Sequence, residues 1–132
     1  MSELKSHIES FKNAIKNLDE VLRLRKTNIV RDSAIKRFEL CFDLSWKCIK
    51  EYAKIEGQEC ASPRQCFKMA YKLGLVKYDA KYLEMIKARN ITVHTYNQEI
   101  ANYIYRKLRK YLKLFSDLAS ELSKRMSGEN LF

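Results

Sequence analysis

An all-α fold, an antiparallel up-and-down bundle of four main helices plus a short one, is expected from three features of these 132 residues. The chain has only 3 Gly and 1 Pro. Turns consume both residue types, so few turns and long helices are implied. Apolar residues recur at three- and four-residue spacings over long stretches, which is the period of a helix face. Valine, favoured in strands, occurs 4 times against 15 Leu. A sandwich, a βαβ series and a Gly-rich phosphate loop are all disfavoured by this composition. The length fits one domain over residues 1–132, with enough buried surface to need no metal or disulfide staple.

The first helix is expected from about Glu3 to Arg25, with Ser2 as its cap. Leu4, Ile8, Phe11, Ile15, Leu18 and Leu22 form its stripe, and Arg23, Arg25 and Lys26 suit its C-terminal dipole. After Thr27-Asn28, a second helix begins near Ile29 or Asp32 and runs to Glu56, closed by Gly57. Its apolar residues, from Ala34 and Ile35 through Phe38, Phe42 and Trp46 to Ile55, cover about 180° of the circumference, where a surface helix needs about 100°. Such a helix is either central in its bundle or lends part of its face to a subunit interface.

Ser62-Pro63-Arg64-Gln65 is a helix start: a Ser N-cap, Pro at the first position and Gln for a capping box. This short helix runs to about Leu73, with Gly74 ending it. A fourth is expected from near Asp79, with Tyr82, Leu83, Ile86, Asn90 and Val93 in one inward sector. The last starts after the N-cap Asn97 and runs to about Met126, with Tyr105 and Tyr111 on its apolar face. A frayed tail, Ser127-Gly128-Glu129-Asn130, follows.

Hydrophobic residues at 46% and charged residues at 32% describe a folded domain rather than a disordered one. No apolar run approaches the roughly 20 residues of a bilayer span. The start, Met-Ser-Glu-Leu-Lys-Ser, lacks the apolar core of a signal peptide, so a cytoplasmic location is expected, with no membrane partner. Cys41, Cys48, Cys60 and Cys66 then default to free thiols. Their spacing forms no CxxC pair and only two histidines exist, so no metal site and no cofactor is expected. The net charge of +10 is uneven: residues 1–60 carry +2 and residues 61–132 carry +8. A localised basic field suits a polyanionic partner such as RNA, or is simply a solvated face. Arg106, Arg109, Lys110 and Lys113 form a stripe on the last helix, opposite its apolar face, and are the candidate phosphate contacts.

His7 sits beside the first stripe and reads as a boundary residue without a role. His94 closes the fourth helix, in Arg89-Asn90-Ile91-Thr92-Val93-His94-Thr95-Tyr96. On a regular helix Arg89 and His94 are about 140° apart and separated axially by about 7.5 Å. Imidazole exchanges protons near neutral pH and guanidinium clamps phosphate, a pair suited to RNA cleavage without a metal. Spacing alone equally fits a structural reading, in which Arg89 pairs with a carboxylate, Asn90 caps or bridges in the core and His94 ends the helix.

The R-x4-H-x-Y pattern resembles the signature of the HEPN superfamily, most closely the nucleotidyltransferase substrate-binding-like proteins. Arg37-Phe38-Glu39 through Trp46-Lys47, the Pro63-Arg64 helix start and Tyr96-Asn97-Gln98-Glu99 extend the resemblance over nearly the whole chain. It implies a homodimer whose two motifs face one cleft, acting as a metal-independent endoribonuclease of toxin–antitoxin type. It also implies a separate minimal nucleotidyltransferase as antitoxin. In those terms Arg89 and His94 are catalytic, Asn90 orients them, and Tyr96 is the residue that the partner adenylylates. The other role known in the group is a noncatalytic subunit that binds substrate for the nucleotidyltransferase.

Overall fold

The structure, a computed structural model, describes residues 2–77 and 80–130, with the side chains of 3–77 and 80–127. Among the described residues it is helical and has no strand: α1 (Ser2–Leu22), α2 (Asn28–Ile55), α3 (Pro63–Lys72), α4 (Ala80–His94), α5 (Gln98–Tyr105) and α6 (Leu108–Asn130). The Ser2 side chain, expected as a cap, and Asp79, expected as a helix start, lie outside the described residues.

The helix ends follow local chemistry. Thr27 and Ser62 cap α2 and α3, their hydroxyls accepting the Val30 and Gln65 amides at 3.0 and 3.2 Å. Gln65 Oε1 accepts from Ala61 N–H at 2.9 Å, one residue before the position a standard capping box uses. Gly57 and Gly74 take the left-handed conformation that ends α2 and α3 at φ +75° and +74°. Helix α1 stops at Leu22, three residues before the expected Arg25, because Arg23 and Leu24 turn to i−3 carbonyls. At the other end α6 stays helical to Asn130, where fraying was expected.

Helix α2 packs against α1, α3, α5 and α6, which absorbs its wide apolar face within one chain. The central position is therefore the reason for that width. A run of rings crosses the bundle. Tyr111 stacks on Phe38 at 5.5 Å, Phe42 meets Phe67 at 6.0 Å, and Phe67 meets Tyr82 at 5.4 Å. These contacts tie α6 to α2, α2 to α3 and α3 to α4.

Three expectations are corrected. The last helix is two: the Arg106 amide still reaches the Asn102 carbonyl at 3.2 Å, but the Lys107 amide turns to the Ile104 carbonyl at 2.9 Å and the α-helical bonding lapses there. No Gly or Pro marks that break. Cys60 and Cys66 are joined in a disulfide with Cα atoms 5.1 Å apart, because the Gly57 turn returns the chain onto the first turn of α3. Only Cys41 and Cys48 are free, and burial pushes both thiols up to about 12. Helix α4 is also rotated from its expected inward sector. Tyr82, Met85, Ile86, Ala88 and Thr92 are buried, whereas Leu83, Asn90 and Val93 are exposed. Among the described residues no helix is long and apolar enough to cross a membrane.

Candidate functional site on α4 and the loop after it

The rotation of α4 decides how its polar residues are presented. Arg89 lies at the edge of the buried sector, against α2. Its guanidinium sits 5.5 Å from the Phe42 ring centroid and donates to Asp43 Oδ1 at 3.4 Å and to Asn90 Oδ1 at 3.5 Å. Its Nε–H is shielded and has no partner among the described residues. Asn90 was expected to face the core and instead lies on the outer side of α4, one turn before His94. Its amide stands between the sectors of Arg89 and His94. His94, the last residue of α4, is exposed, and among the described residues no ion pair or side-chain hydrogen bond engages it. One chain thus brings Arg89 and Asn90 together and leaves His94 bonded to neither, one turn beyond Asn90 on the outer side of α4.

Tyr96 follows in the short loop that Asn97 ends, Asn97 Oδ1 accepting the Ile100 amide of α5 at 2.9 Å. The Tyr96 ring is 49% exposed, but its hydroxyl is held, donating to Asp32 Oδ1 at 2.5 Å. Asp32 is fixed from below by Arg31 Nε at 3.0 Å, and Arg31 Nη1 donates to Asn102 Oδ1 at 3.2 Å. Arg31 is only 4% exposed. The bonds from Tyr96 and Arg31 hold the Asp32 carboxyl below its ordinary range. Desolvation and the Asp32 carboxylate push the Tyr96 phenol up to about 12. A cleft of about 410 Å³ opens beside this pair, lined by Asp32, Ile35, Lys36, Glu39, Thr92 and Tyr96.

The expected phosphate stripe is largely engaged within the chain. Lys110 pairs with Glu84 at 2.9 Å and Lys113 with Asp117 at 3.5 Å. Arg109 donates to the Leu22 carbonyl at 2.9 Å and lies 3.9 Å from Asp19. Arg106 alone of the four has no side-chain partner among the described residues. Glu84 also accepts from Lys107 and Tyr111, each at 3.0 Å, and these donors hold its carboxyl down to about 2. The cluster fastens α4 to α6.

Residues 6–124 match the family model described as nucleotidyltransferase substrate binding protein like. The chain belongs to this family. Among its relatives is the probable ribonuclease HepT of Haemophilus influenzae, 30% identical over 107 residues, which are 74% of this chain and 73% of that protein. A crystal structure from Thermus thermophilus superposes with a TM-score of 0.79 at 34% identity, over 85% of this chain and 98% of that one. A tri-AMPylated HEPN toxin of Shewanella oneidensis, solved in complex with MNT antitoxin, has a TM-score of 0.75 at 17% identity, over 92% of this chain and 96% of that one. The HEPN fold is therefore shared.

Within this family member, sequence reasoning missed Arg31, Asp32, Asp43 and Glu84, which hold the motif residues or their helix. Arg31 carried a readable signal. It stands three, four and seven residues before Ala34, Ile35 and Phe38, inside the apolar stripe of α2, where an unpaired cation is costly.

Proposed function

We propose that this protein is the metal-independent endoribonuclease of a toxin–antitoxin pair, held in check by a minimal nucleotidyltransferase. The observation that carries the reading is the free imidazole of His94 on the same exposed line as Asn90, whose amide receives Arg89. His94 takes the proton of an RNA 2′-hydroxyl. The 2′ oxygen attacks the adjacent phosphorus, and Arg89 compensates the charge on the phosphorane. The bond from phosphorus to the 5′ oxygen breaks, and an imidazolium returns a proton to the departing oxygen. The products are a 2′,3′-cyclic phosphate and a 5′-hydroxyl. Asn90 orients the guanidinium. Arg106, between α5 and α6, and the largely engaged Arg109, Lys110 and Lys113 of α6 add long-range phosphate attraction.

A homodimer fits the same geometry. Arg89 and His94 occupy different sectors of one helix, so a second α4 facing the first gives a cleft containing both groups twice. The outward apolar side chains of Ile91 and Val93, 44% and 54% exposed beside His94, offer the surface for that pairing. Tyr96 is the regulatory acceptor. Its oxygen attacks the α-phosphorus of ATP on the partner enzyme, pyrophosphate leaves, and the AMP occupies the cleft beside Asp32 and Lys36.

The engagement of Arg89 by Asp43 favours one other reading, a noncatalytic substrate-binding subunit in which that ion pair is purely structural. RNA cleavage by purified protein in EDTA separates the two. Activity lost in His94→Ala and Arg89→Ala with helical content intact supports the ribonuclease; no activity in wild type gives the second reading.

A further inference from the structure

The cations not engaged within the chain point to a surface away from the motif. Arg64, Lys68 and Lys72 succeed one another at four-residue intervals on α3, so they form one row along its surface. Lys77 continues the row past Gly74. Among the described residues none of these four is ion-paired, in contrast to Arg109, Lys110 and Lys113. The row borders a groove of about 310 Å³ between α3 and the first turns of α4, with no acidic residue among its described lining. The wall of the groove is almost wholly apolar. Phe67 and Tyr82 form its floor, their rings 5.4 Å apart, and Tyr71, 53% exposed, stands at its edge.

We infer that this groove binds a single-stranded segment of RNA, one or two bases lying against Tyr71 and the apolar floor while Arg64, Lys68, Lys72 and Lys77 hold the phosphates. Aromatic faces accept any base, and a row of cations tracks a sugar–phosphate chain. A second copy of this chain is the less suitable occupant, because a protein of charge +10 would bring more positive charge to a cation-bordered face with no acidic residue among its described lining. A duplex is also less suitable, since its bases are stacked inside and cannot enter. The groove deepens the ribonuclease reading and rests on it for its purpose. Leu83 in the groove and His94 lie on one helix, about 16 Å apart along its axis, so a strand seated in the groove reaches the motif within a few nucleotides. The groove would make the enzyme select unpaired RNA.

The test is fluorescence anisotropy of a short unstructured RNA and of the same sequence as a duplex, at several salt concentrations. All proteins carry His94→Ala to prevent cleavage. Tyr71→Ala is expected to weaken single-strand binding about tenfold with little change in salt dependence, and Tyr71→Trp to restore it. Arg64→Gln, Lys68→Gln and Lys72→Gln together are expected to reduce the log–log salt slope by about 2, at roughly 0.7 per lost phosphate contact. Unchanged affinity and slope in both groove variants overturn the proposal. So does equal binding of duplex, or a change in sedimentation without a change in RNA affinity, which assigns the groove to a second copy. Cleavage by the proteins with His94 restored is scored separately. Groove-dependent binding without cleavage by wild type sinks the ribonuclease reading and leaves the groove. Cleavage with groove-independent binding does the reverse.

Discussion

The Tyr96 hydroxyl donates to Asp32 Oδ1 across 64 residues of sequence and joins the loop after α4 to the first turn of α2. The bond places an exposed phenol at a fixed point and supplies an anion that can receive its proton. A phenol is protonated at neutral pH, and burial and Asp32 raise the cost of ionising this one, so its oxygen becomes a nucleophile only as the proton leaves. Incubated with the cognate nucleotidyltransferase, ATP and magnesium, the protein is expected to gain AMP by intact mass. Tyr96→Phe should abolish the gain and Asp32→Asn should slow it. A gain that survives Tyr96→Phe contradicts the assignment.

Arg31 is the buried link beneath that pair. Arg31→Leu removes the donor to Asn102 and the support of Asp32, and is expected to cost about 2 kcal/mol of stability. Asp32→Asn should cost less, because Asp32 is half-exposed and screened by solvent. Urea unfolding midpoints check the order, and equal losses contradict it.

Glu84 predicts a pH dependence. Its carboxyl titrates near 2 when folded and near 4.5 otherwise. A lowered folded value means the contribution is complete above about 4.5 and is lost as pH falls toward 2. Wild type should exceed Glu84→Gln in stability by about 1–2 kcal/mol at neutral pH, after discounting for the partial exposure of the carboxylate. The difference should shrink through that window, and a constant difference down to pH 2 would contradict the account.

The disulfide gives a thiol count. The native protein should show no reactive thiol to an aromatic disulfide reagent, since Cys60 and Cys66 are bonded and Cys41 and Cys48 are buried with raised thiols. Cys60 and Cys66 are themselves 5% and 0% exposed, so the count is taken in denaturant, where two thiols should react before reduction. Reduction should also lower stability by about 2 kcal/mol, the loop-closure value for so short a loop. Reagent and denaturant together with reduction should reveal all four. Four reactive thiols in denaturant before reduction would contradict the bridge.

The helices and their caps were legible because their signals are local. Thr27-Asn28, Ser62-Pro63, Asn97, Gly57 and Gly74 mark ends through their own backbone and side-chain chemistry. The facing of α4 was not legible, because Leu83, Ile91 and Val93 make its outer side as apolar as its inner one. Contacts between separate helices fix which side turns inward: Phe67–Tyr82 from α3, Arg89 with Phe42 and Asp43 from α2, and Glu84 with Lys110 and Tyr111 from α6. The α5–α6 break has no Gly or Pro to mark it, and the Cys60–Cys66 bridge was not expected because the expected cytoplasmic location argued for free thiols. At the site, the family resemblance singled out Arg89, Asn90, His94 and Tyr96 as candidates, whereas the carboxylates that hold two of them, Asp43 and Asp32, come from a different helix.

The chemistry of the cleaved ends tests the central claim most directly. A single-stranded RNA is incubated with wild-type protein and with His94→Ala in EDTA, and the products are identified by mass spectrometry. The account predicts 2′,3′-cyclic phosphate and 5′-hydroxyl ends from wild type, and intact RNA with His94→Ala. Ends bearing a 3′-hydroxyl and a 5′-phosphate, or the same cyclic products from His94→Ala, would contradict it.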